Sequence, residues 1–244
     1  MSIQITGLTT IPEVHPGDSL AELIRDAAAR EGQPLGESTI VVAAQKIVSK
    51  AEGAIVDLRS IQPTPLAQQW AGQWKRDARV IELVLQQSRR ILKMDRGVLI
   101  AETSHGLVAA NAGVDQSNTH GDDFATLLPA DPDASARALR AALGCGAVIV
   151  SDTFGRPWRE GLVNVAIGVS GMEALEDLRG AHDRRGHVLQ GTIIARADEL
   201  AAAAGLVMAK EAGIPVALIE GFEWTRSEGS ARPLIRAAEL DLFR

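Results

Sequence analysis

Cysteine occurs once in the 244 residues, tyrosine not at all, and phenylalanine and tryptophan four times each. The lone Cys145 cannot close an intramolecular bridge, so a disulfide scaffold is excluded. Aromatics at 3% leave few rings for stacking, and the 46% hydrophobic content must build its core from Ala, Val, Leu and Ile. Acidic side chains outnumber basic ones by 31 to 25, a net charge of −6, which argues against the cationic footprint of nonspecific nucleic-acid binding. No apolar run approaches the roughly 20 residues that span a bilayer, and MSIQITGLTT lacks the basic start and apolar stretch of a secretion signal. The expectation is a cytoplasmic protein with neither nucleic acid nor membrane as a partner. Familiar signatures are missing as well: there is no GxxxxGK phosphate loop, GxGxxG, HExxH or GxSxG, and the five histidines show no metal-ligand spacing.

A chain of this length buries about 70 to 75% of its extended surface, enough for one large domain or two intimate lobes. Residues 2–8 alternate as a half-buried strand does. Asp18 is a candidate N-cap for a helix carrying Leu20, Leu23, Ile24, Ala27 and Ala28 on one stripe, with Gly32 as its stop. A strand is expected at 39–44, and the spacing of Leu66, Trp70, Trp74, Val80, Ile81, Val84 and Leu85 predicts two short packed helices. Residues 98–102 and 107–111 form a hairpin pattern. Asp131 before Pro132 opens an Ala-rich helix to Leu143, followed by strands at 147–150 and 188–194, a helix at about 198–210 and a strand at 215–219. Residues 222–244 carry only a hint of a short helix around Pro233, Leu234, Ile235 and Ala238. The reading is mixed α and β with antiparallel components, in one unit over residues 1–244.

Four segments set polar groups beside Gly or Pro where strands should end. In NAGVDQSN (111–118), Asp115 offers an anionic oxygen to a hard cation, with Gln116, Ser117 and Asn118 as neutral hydrogen-bonding groups; a capped turn is the plainer reading. In SDTFGRPWREG (151–161), Asp152 and Thr153 suggest a metal site beside an anion site at Arg156 and Arg159, while a helix cap with solvated arginines would look the same. Two carboxylates about 4 Å apart repel by roughly 4 kcal/mol at an effective dielectric of 20, which a divalent cation reverses, so Asp115 and Asp152 are worth considering together. In AAQKIVSKAEG (43–53), Lys46 and Lys50 suit phosphate or a solvated face. TTIPEVHPGD (9–18) is a stiff loop for a base or ribose, or simply a rigid turn.

Taken together, IPEV, QKIVSKAEG, NAGVDQSN, DPDASAR, SDTFGRPWREG, VAIG and ADELAAAAGLVM, in that order over nearly the whole chain, resemble the GTP-dependent coenzyme F420-0:L-glutamate ligases. The resemblance implies amide ligation through an acyl phosphate, with GTP as co-substrate, L-glutamate and coenzyme F420-0 as substrates, and Mg²⁺ or Mn²⁺ as metal, with a monovalent cation as an optional further ion. It also implies an α+β fold with mixed, largely antiparallel sheets and packed helices, an intertwined homodimer, and a single-domain form without the nitroreductase-like flavin domain of some relatives. By position, Asp115 and Asp152 match ligands of one metal and Thr153 of a second. Ile11, Pro12, Glu13, Val14, Gln45, Lys46, Lys50 and Asn118 match nucleotide contacts. So does the segment of Met208, Ala209, Lys210, Glu211, Ala212, Gly213, Ile214 and Pro215. Lys210 stands where relatives place a glutamine that helps hold the second metal, and an ammonium has no lone pair to donate. Asp115, Asp152 and Lys50 are the expected catalytic groups, with Arg156 and Arg159 as candidates for the acceptor's phosphodiester or the glutamate carboxylates. A metal-dependent phosphohydrolase and a non-catalytic GTP sensor are the competing readings.

Overall fold

The chain is described by a computed structural model over residues 2–117, 121 and 123–242. β1 (Gln4–Gly7) is followed by α1 (Leu20–Arg30), and β2 (Ile40–Ala44) runs directly into α2 (Gln45–Ala51). β3 (Ile55–Asp57) leads to α3 (Pro65–Trp74) and α4 (Ala78–Gln87), then to β4 (Ser88–Asp95), β5 (Val98–Thr103), β6 (Val108–Ala110) and β7 (Phe124–Thr126). α5 (Pro132–Leu143) precedes the long hairpin of β8 (Ala147–Arg156) and β9 (Arg159–Ser170). The short strands β10 (Glu176–Asp177) and β11 (Ile193–Ile194) come before α6 (Arg196–Ala204) and β12 (Val216–Glu220).

The fold is α+β. Its main sheet has the order β1-β12-β2-β8-β9, in which β2 and β8 are parallel and the other neighbours antiparallel. β2 and the first four residues of β8, Ala147 to Val150, are apolar throughout because helices cover both of their faces. Val41 and Val148 pack with Ile24, Val48 and Leu139 from α1, α2 and α5, whereas Ile40 and Ile149 pack with Ala197, Leu200 and Ala201 from α6. Each such aliphatic side chain withdrawn from water contributes roughly 1.5 to 3 kcal/mol. A second sheet, β4-β5-β6, shares another core with α4 through Leu83, Val84, Leu99 and Ala101. None of the described helices is long and apolar enough to cross a membrane.

Local chemistry sets the helix ends. Asp131 accepts the Ala134 amide at 2.9 Å and Pro132 takes the first helical position, as the sequence predicts, and Gly144 ends α5 at φ 68°. α1 differs: its N-cap is Ser19, and Asp18 instead accepts the His15 amide at 2.7 Å, closing the loop before the helix. α6 ends at Ala204 rather than near 210, so the stretch that follows is free to form a wall of the main cleft. Of the strand expected at 188–194, Ile193 and Ile194 pair as β11, and Val188 makes one isolated bridge to His182. The tail holds two short 3₁₀ turns, Arg232–Leu234 and Ala238–Leu240, in place of a helix. β4 escapes the sequence because two register shifts, at Ser88/Arg90 and Ile91/Lys93, break the alternation that would mark it.

Candidate active site

Two of the four polar segments are regular structure rather than loops. QKIVSKA is α2, entered without a break from β2, and SDTFGR is the outer half of β8. Where these elements meet, a cleft of about 150 Å³ opens. Gln45 and Lys46 come from the start of α2, Asp152 and Thr153 from β8, and Asn164 from β9. Asp115 and Ser117 enter from the segment before β7, and Lys210 from the connection between α6 and β12.

A bulge aims the β8 side chains. Val150 pairs with Gly168 and Ser151 with Ala166, so Ile167 has no cross-strand partner. An extra residue of this kind bends and twists its strand, and such bulges recur beside active sites. Asp115 is placed by a different device. Asn111, Ala112 and Gly113 have φ of 53°, 52° and 73°, a left-handed turn that costs the two non-glycine residues on the order of 1 kcal/mol each. The turn is pinned by a bridge in which the Asp115 amide donates to Thr126 O at 3.0 Å and the Thr126 amide to Asp115 O at 2.8 Å.

Lys46 Nζ lies 2.7 Å from Asp115 Oδ2 and 2.6 Å from Ser117 Oγ, and the Ser117 amide donates to Asp115 Oδ1 at 2.7 Å. Burial opposes ionisation of Asp115, but the Lys46 ammonium and the Ser117 amide and hydroxyl outweigh it and hold the carboxyl below its ordinary range. Asp152 is shifted the other way. Burial pushes its carboxyl up and the nearby Asp115 charge adds to this, while the Thr153 amide, Lys210 and Lys46 oppose the rise. The two aspartates therefore share one electrostatic site, as the pairing argument anticipated. The Thr153 hydroxyl donates to Asn164 Oδ1 at 2.9 Å, and Ser151 Oγ is buried without a hydrogen-bond partner among the described residues.

Carboxylate, hydroxyl and amide oxygens are the donor set of a hard divalent cation, and a buried hydroxyl without a partner beside two mutually repelling carboxylates fits such an ion. Among the described residues there is no group of three or more His, Cys, Asp or Glu that could hold a metal alone, so other oxygens would have to complete its shell.

The remaining sequence candidates divide. Met208, Ala209, Ile214 and Pro215 line the cleft, whereas Glu211, Ala212 and Gly213 do not. Ile11 and Val14 are buried in the core, with Pro12 and Glu13 exposed between them, so this loop offers a ligand mainly its backbone. Lys50 is 5% exposed, with its ammonium 2.5 Å from Glu13 Oε1, away from the cleft lining. Arg156 and Arg159 lie at the tip of the β8–β9 hairpin, outside that lining, and the Arg156 guanidinium bonds the Glu160 and Gly161 carbonyls. Asn118 falls outside the described residues, as does His120. Sequence reasoning missed Asn164, although a lone amide inside the apolar run LVNVAIGV was its signal.

An α+β sheet with carboxylates, ammoniums and hydroxyls converging on one cleft is the architecture of an enzyme acting on small polar molecules. The chain belongs to the F420-0:gamma-glutamyl ligase family, whose model matches residues 9–221. It is 45% identical over 252 aligned positions to the coenzyme F420:L-glutamate ligase of Methanothermobacter thermautotrophicus, covering 100% of both chains. It is 43% identical to the protein of that name from Methanopyrus kandleri, with 95% of this chain and 94% of the relative covered. The Methanocaldococcus jannaschii protein of the same name is 38% identical, with 99% and 97% covered.

Proposed function

We propose that the chain joins L-glutamate to the terminal carboxylate of coenzyme F420-0 by an amide bond, with GTP as phosphoryl donor, and adds γ-linked glutamates in further rounds. The observation that carries this reading is the convergence of Asp115, Asp152, Lys46 and Lys210 on one cleft in a chain of this family. A carboxylate is a poor electrophile and needs a leaving group. An acceptor carboxylate oxygen attacks the γ-phosphorus of GTP, the bond to the bridging oxygen breaks, and GDP and an acyl phosphate result. The glutamate amine attacks the acyl carbon, a proton leaves the nitrogen, and phosphate departs.

The protein's part is positioning and charge neutralisation. Lys46 and Lys210 set two ammoniums against the phosphates, and the connection at 208–215 forms a wall for the nucleotide. Asp115 and Asp152, with the Thr153 hydroxyl, would hold Mg²⁺ or Mn²⁺, which supplies Lewis-acid polarisation of phosphoryl oxygens when bound. We read the working form as a cytoplasmic homodimer. Trp158 and Leu162, 79% and 67% exposed at the hairpin tip, support a partner surface there.

The test mixes protein, GTP, Mn²⁺, L-glutamate and the deazaflavin acceptor, then follows acceptor mass and GDP. A glutamyl increment matched by GDP release is expected. GTP hydrolysis that ignores glutamate and acceptor would make the chain a phosphohydrolase, and binding without turnover would make it a sensor.

A further inference from the structure

A second cavity, about 570 Å³ in volume, shares no lining residue with the cleft. That volume suits a small organic molecule. Four pieces of chain enclose it: the turn between β5 and β6, the entry to α5, Ile167 of β9, and the tail from Ala231 to Ala237. The walls are held by internal bonds. Asp133 accepts the Val169 amide at 2.8 Å, the Ala231 amide at 2.9 Å and the Ser230 hydroxyl at 2.6 Å, so one buried carboxylate clamps the tail to β9 and α5. His105 Nε2 lies 3.0 Å and 3.1 Å from the carbonyl oxygens of Pro129 and Ala130, which joins the β5–β6 turn to the α5 entry. Both partners are acceptors, so Nε2 carries the proton.

The lining is chemically divided. Leu107, Pro132, Ile167 and Ile235 supply apolar surface, and Arg232 and Arg236 stand four residues apart at the same hollow. Neither guanidinium makes a hydrogen bond or ion pair with a described residue. Arg59, Arg79, Arg179 and Arg196, by contrast, each hold a carboxylate at 2.5–2.7 Å. The acids of the cavity are already committed, Asp133 as described and Asp131 to the Ala134 amide, with Arg137 3.9 Å away. Two guanidiniums without carboxylate partners beside an apolar hollow select a molecule with an apolar body and an anionic head, because the fork donates to phosphate or carboxylate oxygens.

We propose that this cavity binds an organic anion, an apolar body bearing a phosphate or carboxylate, with Arg232 and Arg236 as its clamp. Both arginines lie beyond the residues 9–221 that the family model matches, and the cavity they face is separate from the cleft that holds Asp115 and Asp152.

The test titrates the intact protein with anilinonaphthalene sulfonate, an aromatic anion that fluoresces when held in an apolar site. One saturable site is expected, its dissociation constant raised about tenfold or more in the Arg232→Gln/Arg236→Gln variant and in Ser104→Trp, which adds bulk to an exposed lining position. Phenyl phosphate or benzoate should displace the dye, and whichever does so identifies the head group. Equal affinity in the wild type and both variants, or displacement by neither competitor, overturns the proposal. Arg232, Arg236 and Ser104 are all exposed, so the variants keep the fold, and circular dichroism verifies this. Binding is read without turnover, so the result stands whether or not the ligation assay succeeds.

Discussion

Lys46 Nζ lies 2.7 Å from Asp115 Oδ2, in the cleft that also holds Asp152. The two side chains are 21% and 38% exposed, and a pair that open to water contributes only about 0 to 1 kcal/mol to stability. The arrangement has more to do with the charge of the cleft than with the fold. Lys46→Met should therefore lower unfolding free energy by about 1 kcal/mol or less while weakening GTP binding about tenfold. Urea denaturation and calorimetric titration with GTP read the two effects separately. Unchanged GTP affinity would remove Lys46 from the nucleotide site.

Asp152 answers to a different measurement. Its Oδ1 accepts the Thr153 amide at 2.7 Å, a bond that an asparagine oxygen can also accept. Asp152→Asn should thus keep the circular dichroism spectrum, lose Mn²⁺ binding by electron paramagnetic resonance, and lower turnover about 100-fold or more, the scale seen when one charge-stabilising group is removed. Near-normal turnover would show that this carboxylate holds no essential ion.

The chemistry of the cleft was more legible in the sequence than the shapes that deliver it. Asp115, Asp152, Thr153, Gln45 and Lys46 were all singled out and all line one cleft. The nearby Gly and Pro residues give their segments the pattern of loops, yet Asp152 and Thr153 sit within a strand whose bulge lies opposite, on β9. Bulges are set by pairing between distant strands, which a local pattern cannot carry. The same limit hid β4, while Asp131 and Pro132 announced α5 because capping is local. Lys50 shows what spacing alone leaves out. Helical spacing puts it one turn from Lys46, but Glu13, reached only through the fold, holds its ammonium.

Glu31 links the loop after β1 to pH. Its Oε1 accepts the Thr9 and Thr10 amides and the Thr10 hydroxyl, each at 2.8 Å, and so anchors the loop that runs on to Ile11 and Val14. Burial opposes ionisation, but these donors outweigh it and hold the carboxyl below the ordinary 4.5. A folded value below the unfolded one means that the carboxylate adds stability above about pH 4.5, and that this is lost as pH falls through the folded value. Glu31→Gln keeps an acceptor oxygen but loses the charge, which makes such bonds roughly twice as strong. It should melt below the wild type at neutral pH, with the gap closing as pH drops below about 4.5. A gap that stays constant through acid would show that the ionised form adds nothing.

Gly168 sits beside the bulge, where β9 passes the first turn of α5. A β-carbon there would overlap the Pro132 carbonyl, so the absence of a side chain lets the helix approach the strand. The contact matters beyond packing, because Asp133 of that same turn accepts the Val169 amide and Ile167 is the unpaired bulge residue. Gly168→Ala must push strand and helix apart, and overpacking of this kind costs about 1 to 3 kcal/mol. The displacement also passes into the register of Ser151 and Asp152, so turnover should fall further than the folded fraction does. Urea denaturation gives the first quantity, and activity measured well below the unfolding midpoint gives the second. A variant with lowered stability but full turnover per folded molecule would show that the bulge, not the helix contact, sets the aim of Asp152.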